Sequence, residues 1–144
     1  MNKRVIYPND QGGVSVIVPA DCGLTIEQIA AKDVPEGKEF QIVDVSEIPS
    51  DRTYRNAWEY LDGVKINIEK AIEIQKDKIR AERAPLLEDL DIQYMKALEA
   101  GDTQKQEEIS AEKQKLRDVT ALVVASNTED LKKMSCENLI AEKT

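Results

Sequence analysis

The sequence predicts an α+β protein: a small N-terminal head containing β-hairpins, a long antiparallel helical hairpin, and a short C-terminal helix. Three observations carry this expectation. β-Branched runs separated by turn residues fill the first part of the chain, an apolar stripe at helical spacing runs through the middle, and the Gly101-Asp102 pair divides that stripe. The expected domains are 1–68 for the head, 69–119 for the helical hairpin, and 120–144 for a short helix and tail.

In the head, "KRVIY" (Lys3 to Tyr7) and "VSVIV" (Val14 to Val18) flank "PNDQGG", whose Pro, Asn, Asp and glycines signal a hairpin loop. Pro19 ends the second strand. Thr25 and Gln28 have capping-box spacing, Ile26, Ile29 and Ala30 share one helical face, and Pro35 closes a short helix. "EFQIVDVSEIP" supplies a third strand, with Phe40, Ile42 and Val45 expected on its apolar side. "AWEYLDGVKINI" reads as a second hairpin around Asp62-Gly63, a type I′ pair.

From Glu69 onward the period changes. Ile72, Ile79 and Leu86 stand seven apart, and Leu90, Tyr94 and Leu98 follow at four-residue steps, which gives one narrow apolar stripe on a long helix. Gln75, Glu82 and Asp89 occupy the companion heptad positions, so a strict coiled coil is not supported. Pro85 removes one backbone donor and is expected to bend or interrupt the helix. Gly101 is a natural residue just past a helix end, and Thr103 with Gln106 has the spacing of a fresh capping box. Ile109 and Leu116 stand seven apart on the second helix, with the aliphatic stem of Lys113 between them. So short a turn implies antiparallel packing that buries Ile79, Leu86, Leu90, Leu98, Ile109 and Leu116. "TALVVA" suits either the end of that helix or an extended run. Ser126 and Glu129 have capping-box spacing at the start of a short last helix, and the polar tail to Thr144 is expected to fray.

Charged residues make up 33% of the 144 and aromatics only 4%, so any core must rest on Leu, Ile and Val. The net charge of -8 is shared by both halves, and no basic tail hides behind it. Phosphate backbones are repelled by such a surface, which argues against nucleic-acid binding. No apolar run approaches a membrane span or a signal peptide, so a soluble chain made in a cytoplasm and without a membrane partner is expected. Cys22 and Cys136 are the two cysteines and are expected as reduced thiols. The chain has no histidine, hence no imidazole base or imidazole metal ligand, and neither phosphate-cradling glycine pattern occurs. An enzyme is not expected, and neither are catalytic residues, a cofactor or a metal.

"DRTYRNAWEYLDG" (Asp51 to Gly63) contains the single tryptophan, two of the four tyrosines and two arginines. Arg52, Tyr54, Arg55, Trp58 and Tyr60 are the candidate junction or interface residues. On the first reading Trp58 and Tyr60 share one strand face and seal the joint between head and hairpin, with Arg52 and Arg55 pointing outward. On the second they form a protein-docking surface, since Trp, Tyr and Arg are enriched at interface hot spots.

The stretch from Asp51 to Val119, through "DRTYRNAWE", "KIRAERAPLL", "LDIQYMKALEAGD" and "KQKLRD", resembles a module of small tailed-bacteriophage proteins. "GGVSVIVPADCGLTIEQIAAKDVP" and "FQIVDVSEIPSDRTYRNAWE" are similar to the front half of such proteins, and the second half to tail-assembly chaperones and tail-fibre-associated proteins. After Val119 the chain departs from the pattern and lacks its Trp-Pro ending. The resemblance implies a structural virion-associated protein, an adaptor in the tail or an appendage. It would be made in the host cytoplasm, be present in symmetric copies, and contact other virion proteins and itself. The alternative it implies is a tail or tail-fibre assembly chaperone that leaves the finished particle.

Overall fold

A computed structural model describes residues 2–143 of the chain. The elements run β1 (Lys3–Pro8), β2 (Val14–Ile17), α1 (Ile26–Asp33), β3 (Gln41–Asp44), β4 (Trp58–Leu61), β5 (Gly63–Ile66), α2 (Ile68–Glu99), α3 (Thr103–Asp118), α4 (Thr128–Lys132) and α5 (Cys136–Lys143). The α+β class is therefore as expected. The chain divides into two compact units, residues 1–71 and 72–144.

The first unit is built on an antiparallel sheet of order β2-β1-β3 and a separate antiparallel pair β4-β5. β1 is the central strand, pairing Ile6 with Val16 on one side and Arg4 with Val43 on the other. Because side chains alternate across the sheet, Ile6 and Val43 face one way and Val5 the other. Ile6, Val14 and Val43 pack with Trp58 and Val64 of the β4-β5 hairpin. On the opposite face α1, with Ile29 and Ala30 buried, lies against β1, where Val5 is fully buried. A sheet covered on both sides explains why the third strand reads differently from the sequence expectation. Val43 is the buried residue of β3, while Phe40 and Val45 lie beyond the strand ends and are exposed.

The α1 capping box forms as expected: Gln28 N–H donates to Thr25 Oγ1 at 3.2 Å and Thr25 N–H to Gln28 Oε1 at 2.8 Å. The β4-β5 turn is not type I′. Gly63 has φ +81° and no non-glycine residue has a positive φ among the described residues, whereas type I′ needs two left-handed residues. Tyr60 pairs with Val64 across Leu61, Asp62 and Gly63, the arrangement of a three-residue loop with glycine at its left-handed end. Gln41 ties this turn to β3: its amide donates to the Leu61 carbonyl at 2.9 Å and accepts from Gly63 N–H at 3.0 Å. Asn67 caps α2, its Oδ1 accepting from Lys70 N–H at 3.1 Å.

In the second unit, α2 and α3 are an antiparallel pair joined at Gly101-Asp102. Gly101 N–H reaches the Leu98 carbonyl and Asp102 N–H the Ala97 carbonyl, with Gly101 at φ +69°, the pattern of a Schellman end. The N-cap of α3 is Asp102, whose Oδ1 accepts from Lys105 N–H at 3.0 Å, one residue before the capping box expected at Thr103. α2 runs unbroken through Pro85. One missing donor in a helix of 32 residues is tolerated when a packed seam holds both halves; at 1.5 Å per residue α2 reaches about 48 Å.

The seam itself departs from the expected stripe. Ile79, Leu90, Ile109 and Leu116 are buried as expected, and Ile72 and Tyr94 are half-buried. Leu86 and Leu98 are not buried; they are 48% and 51% exposed. The positions that complete the buried face are Gln75 and Ala97. Leu98 leaves it because each four-residue step from Leu90 advances about 40° beyond a full turn. Leu86 stays close to the Ile79 line and is open to solvent at a hollow shared with Leu90 and Leu116. Antiparallel pairing is pinned by Lys113 Nζ, 2.5 Å from Asp91 Oδ1 and 5.8 Å from the Tyr94 ring centroid. The segment from 120 onward belongs to the same unit, adding Val123, Leu131, Cys136 and Leu139 to its buried residues. "TALVVA" becomes a 3-10 turn, Val119–Leu122, ahead of Val123. α4 is capped by Asn127, not Ser126. Where a frayed tail was expected a fifth helix forms, and Thr144 lies outside the described residues.

Candidate functional site

Residues 51–63 form a compact cluster around Trp58. Asp51 Oδ1 accepts from the N–H and hydroxyl of Thr53, a local turn that starts the bend. A 3-10 turn, Arg55–Ala57, then delivers Trp58 to the head core as the first residue of β4. Trp58 is fully buried against Ile6, Val14, Val43 and Val64, with Tyr60 packed on the same cluster. Trp58 and Tyr60 therefore share one strand face, as the period of two requires. Tyr54 is also buried, and burial pushes its phenol above the usual range.

Arg55 does not point away, whereas Arg52 is exposed. Arg55 lies over the Trp58 ring at 4.4 Å from the centroid and donates to the Val14 carbonyl at 2.7 Å. Arg52 stands 5.8 Å from the same ring. The indole face attracts guanidinium, and neither arginine has a carboxylate ion partner among the described residues. Desolvation, then the positive charge of Arg52, lowers the Arg55 pKa from its ordinary value. The Trp58 Nε1 is buried without a protein hydrogen-bond partner.

Beside Arg55 an open cleft of about 510 Å³ is lined by Asn9, Gly12, Gly13, Asn56 and Lys70. Lys70 is turned to Glu59 at 3.3 Å, and Asn9 Oδ1 takes the Gly13 N–H at 2.8 Å. Lys70 and Arg55 are thus held by groups outside the lining, and Asn9 by the loop backbone. Among the described residues no group of three or more His, Cys, Asp or Glu is placed to hold a metal ion. No helix among them is long and apolar enough to cross a membrane.

Two surfaces escaped the sequence reading. A groove of about 270 Å³ in the first unit has an aliphatic lining of Val16, Val18, Val45 and Ile48, with Arg4 and Arg52 beside it. Val18 there is 65% exposed. In the second unit, Ile92, Met95 and Leu98 are all more than half exposed. Spaced by three residues, they lie on the side of α2 away from the buried Leu90 and Ala97. Their signal in the sequence was an apolar residue at i, i+3 and i+6, with Ile92 and Met95 outside the stripe and Leu98 counted within it. No known protein family matches the chain, and neither a curated protein nor a solved structure does.

Proposed function

We propose that the protein is a structural, virion-associated component of a tailed bacteriophage, an adaptor in the tail or an appendage that works in repeated copies. The observation that carries the adaptor reading is the outer face of α2. Ile92, Met95 and Leu98 stay in water although Ile79, Leu90, Ile109 and Leu116 of the same unit are packed away. A contiguous apolar strip kept outside a satisfied core is the mark of a surface covered by another protein. The phage setting is supported by the resemblance of residues 51–119 and of the front half of the chain. A scaffold of this kind needs no reacting group, only faces of defined chemistry held on rigid elements.

A mass-spectrometric inventory of purified particles tests the proposal. The protein is expected at a fixed stoichiometry of several copies per particle. Its presence in infected cells but absence from finished particles would replace the adaptor with an assembly chaperone.

A further inference from the structure

We infer that the groove on the first unit of one copy receives the outer α2 ridge of a second copy, so that the chain associates head to tail. This deepens the reading of a repeated structural part and rests on it for the biological setting alone. The groove presents Val18 and Val45 in water above Val16 and Ile48, with Arg52 at its rim. Arg52 has no carboxylate partner among the described residues. The ridge presents Ile92, Met95 and Leu98, and on the same helical face stand Glu88 and Glu99, four residues before Ile92 and four after Met95. The exposed Lys96 stands four after Ile92, so the ridge carries two carboxylates against one ammonium. An aliphatic hollow with a guanidinium thus meets an aliphatic ridge with carboxylates.

Charge also decides against the symmetric alternatives. Ridge on ridge would bring together two faces of net negative charge, two carboxylates against one ammonium on each, and groove on groove would oppose the Arg52 side chains. Like charges facing each other disfavour both. Groove on ridge is the pairing in which the charges attract. A cavity of about 270 Å³ takes one or two side chains, and Met95, central in the ridge and unbranched, is the one that enters. Because each copy carries both surfaces and the two differ, the contact is heterologous and propagates to a ring or a filament.

Sedimentation velocity on the purified full chain tests this. The weight-average mass should rise with concentration toward about 1 mM and fall with added salt. Val18→Asp and Met95→Asp, both exposed and each checked for native circular dichroism, should each leave monomers. Mixed together they should give a 1:1 dimer and nothing larger, because only one intact groove and one intact ridge remain. A wild-type chain that stays monomeric to that concentration overturns the inference. So does a closed dimer indifferent to either substitution, or a mixture that fails to associate. These outcomes are read on isolated protein and are independent of whether the protein occurs in particles.

Discussion

Glu82 and Arg83 are neighbours on α2 and serve opposite helix ends. Glu82 Oε2 accepts the Cys136 N–H at 3.0 Å at the start of α5, and Arg83 Nη1 donates to the Leu116 and Arg117 carbonyls at 3.1 and 2.9 Å at the end of α3. Each charge meets the helix terminus of opposite partial charge. Gln75, seven residues before Glu82, donates to the Met134 carbonyl at 2.6 Å. The polar residues at these companion positions are what attach the last part of the chain to α2.

Arg83→Ala should therefore lower stability by about 1–2 kcal/mol, and Arg83→Lys should recover much of it, because a single nitrogen, Nη1, makes both bonds and an ammonium can also donate to two carbonyls at a helix end. Glu82→Ala should cost about 0.5–2 kcal/mol, as loss of a cap does. Urea titrations followed by circular dichroism check both. No change in midpoint for either variant would remove the capping account.

Trp58→Ala should cost about 3–5 kcal/mol, since the indole is the largest fully buried side chain. Trp58→Phe should cost much less, because a ring remains beneath Arg55 and the buried Nε1, which lacks a protein partner, is removed. Paired unfolding curves measure the difference. Equal losses would mean that the indole N–H matters and that the core volume is secondary.

Gly101→Ala should destabilise by about 1 kcal/mol through the left-handed φ of +69° alone, because a Cβ there meets nothing within 4 Å. Gly101→Asn should cost less than Gly101→Ala, as asparagine tolerates that conformation. A thermal melt of the three proteins decides. An alanine variant as stable as the parent would show that the hairpin turn has another conformation.

Acid should weaken the first unit through Glu59, whose carboxylate is held below its ordinary 4.5 by the Asn67 amide, then by Lys70. A folded-state pKa below the unfolded one gives stability that is complete above the unfolded value and is lost as pH falls through the folded value. The effect thus begins near pH 4.5 and grows below it. Asp10, lowered by its hydrogen bond and charge pairing with Lys38, acts with the same sign just under its ordinary 3.8. Glu59→Gln should flatten the midpoint-versus-pH curve in that window. A parallel curve would exclude Glu59 as the linked group.

Cys22 is exposed and Cys136 is buried, with burial first and the Glu82 charge second pushing the Cys136 thiol upward. One thiol per chain should react promptly with a disulfide reagent in the native state, and the second only after denaturant is added. Two prompt thiols would place Cys136 at the surface.

Much of the architecture is local and was legible in the sequence. Thr25 and Gln28 cap α1, the turn residues Asn9 to Gly13 separate β1 from β2, and Gly101 ends α2, because each signal acts through backbone groups a few residues away. Ile79, Leu90, Ile109 and Leu116 could be named as buried because an amphipathic stripe has a single apolar side to offer. What only the tertiary structure decided depends on partners distant in the chain. Leu98 follows Leu90 by four-residue steps that turn it off the buried face, Leu86 keeps the line of Ile79 yet borders an open hollow, and Gln75 and Ala97 are buried instead. Arg55 looks like an outward charge until the Trp58 ring beneath it and the Val14 carbonyl are in place. The polar Gln75 and Glu82 look like faults in a coiled coil until a carbonyl and an amide of other segments reach them. Periodicity tells which residues want to leave water; which polar group a buried backbone end will find is settled only when the segments meet.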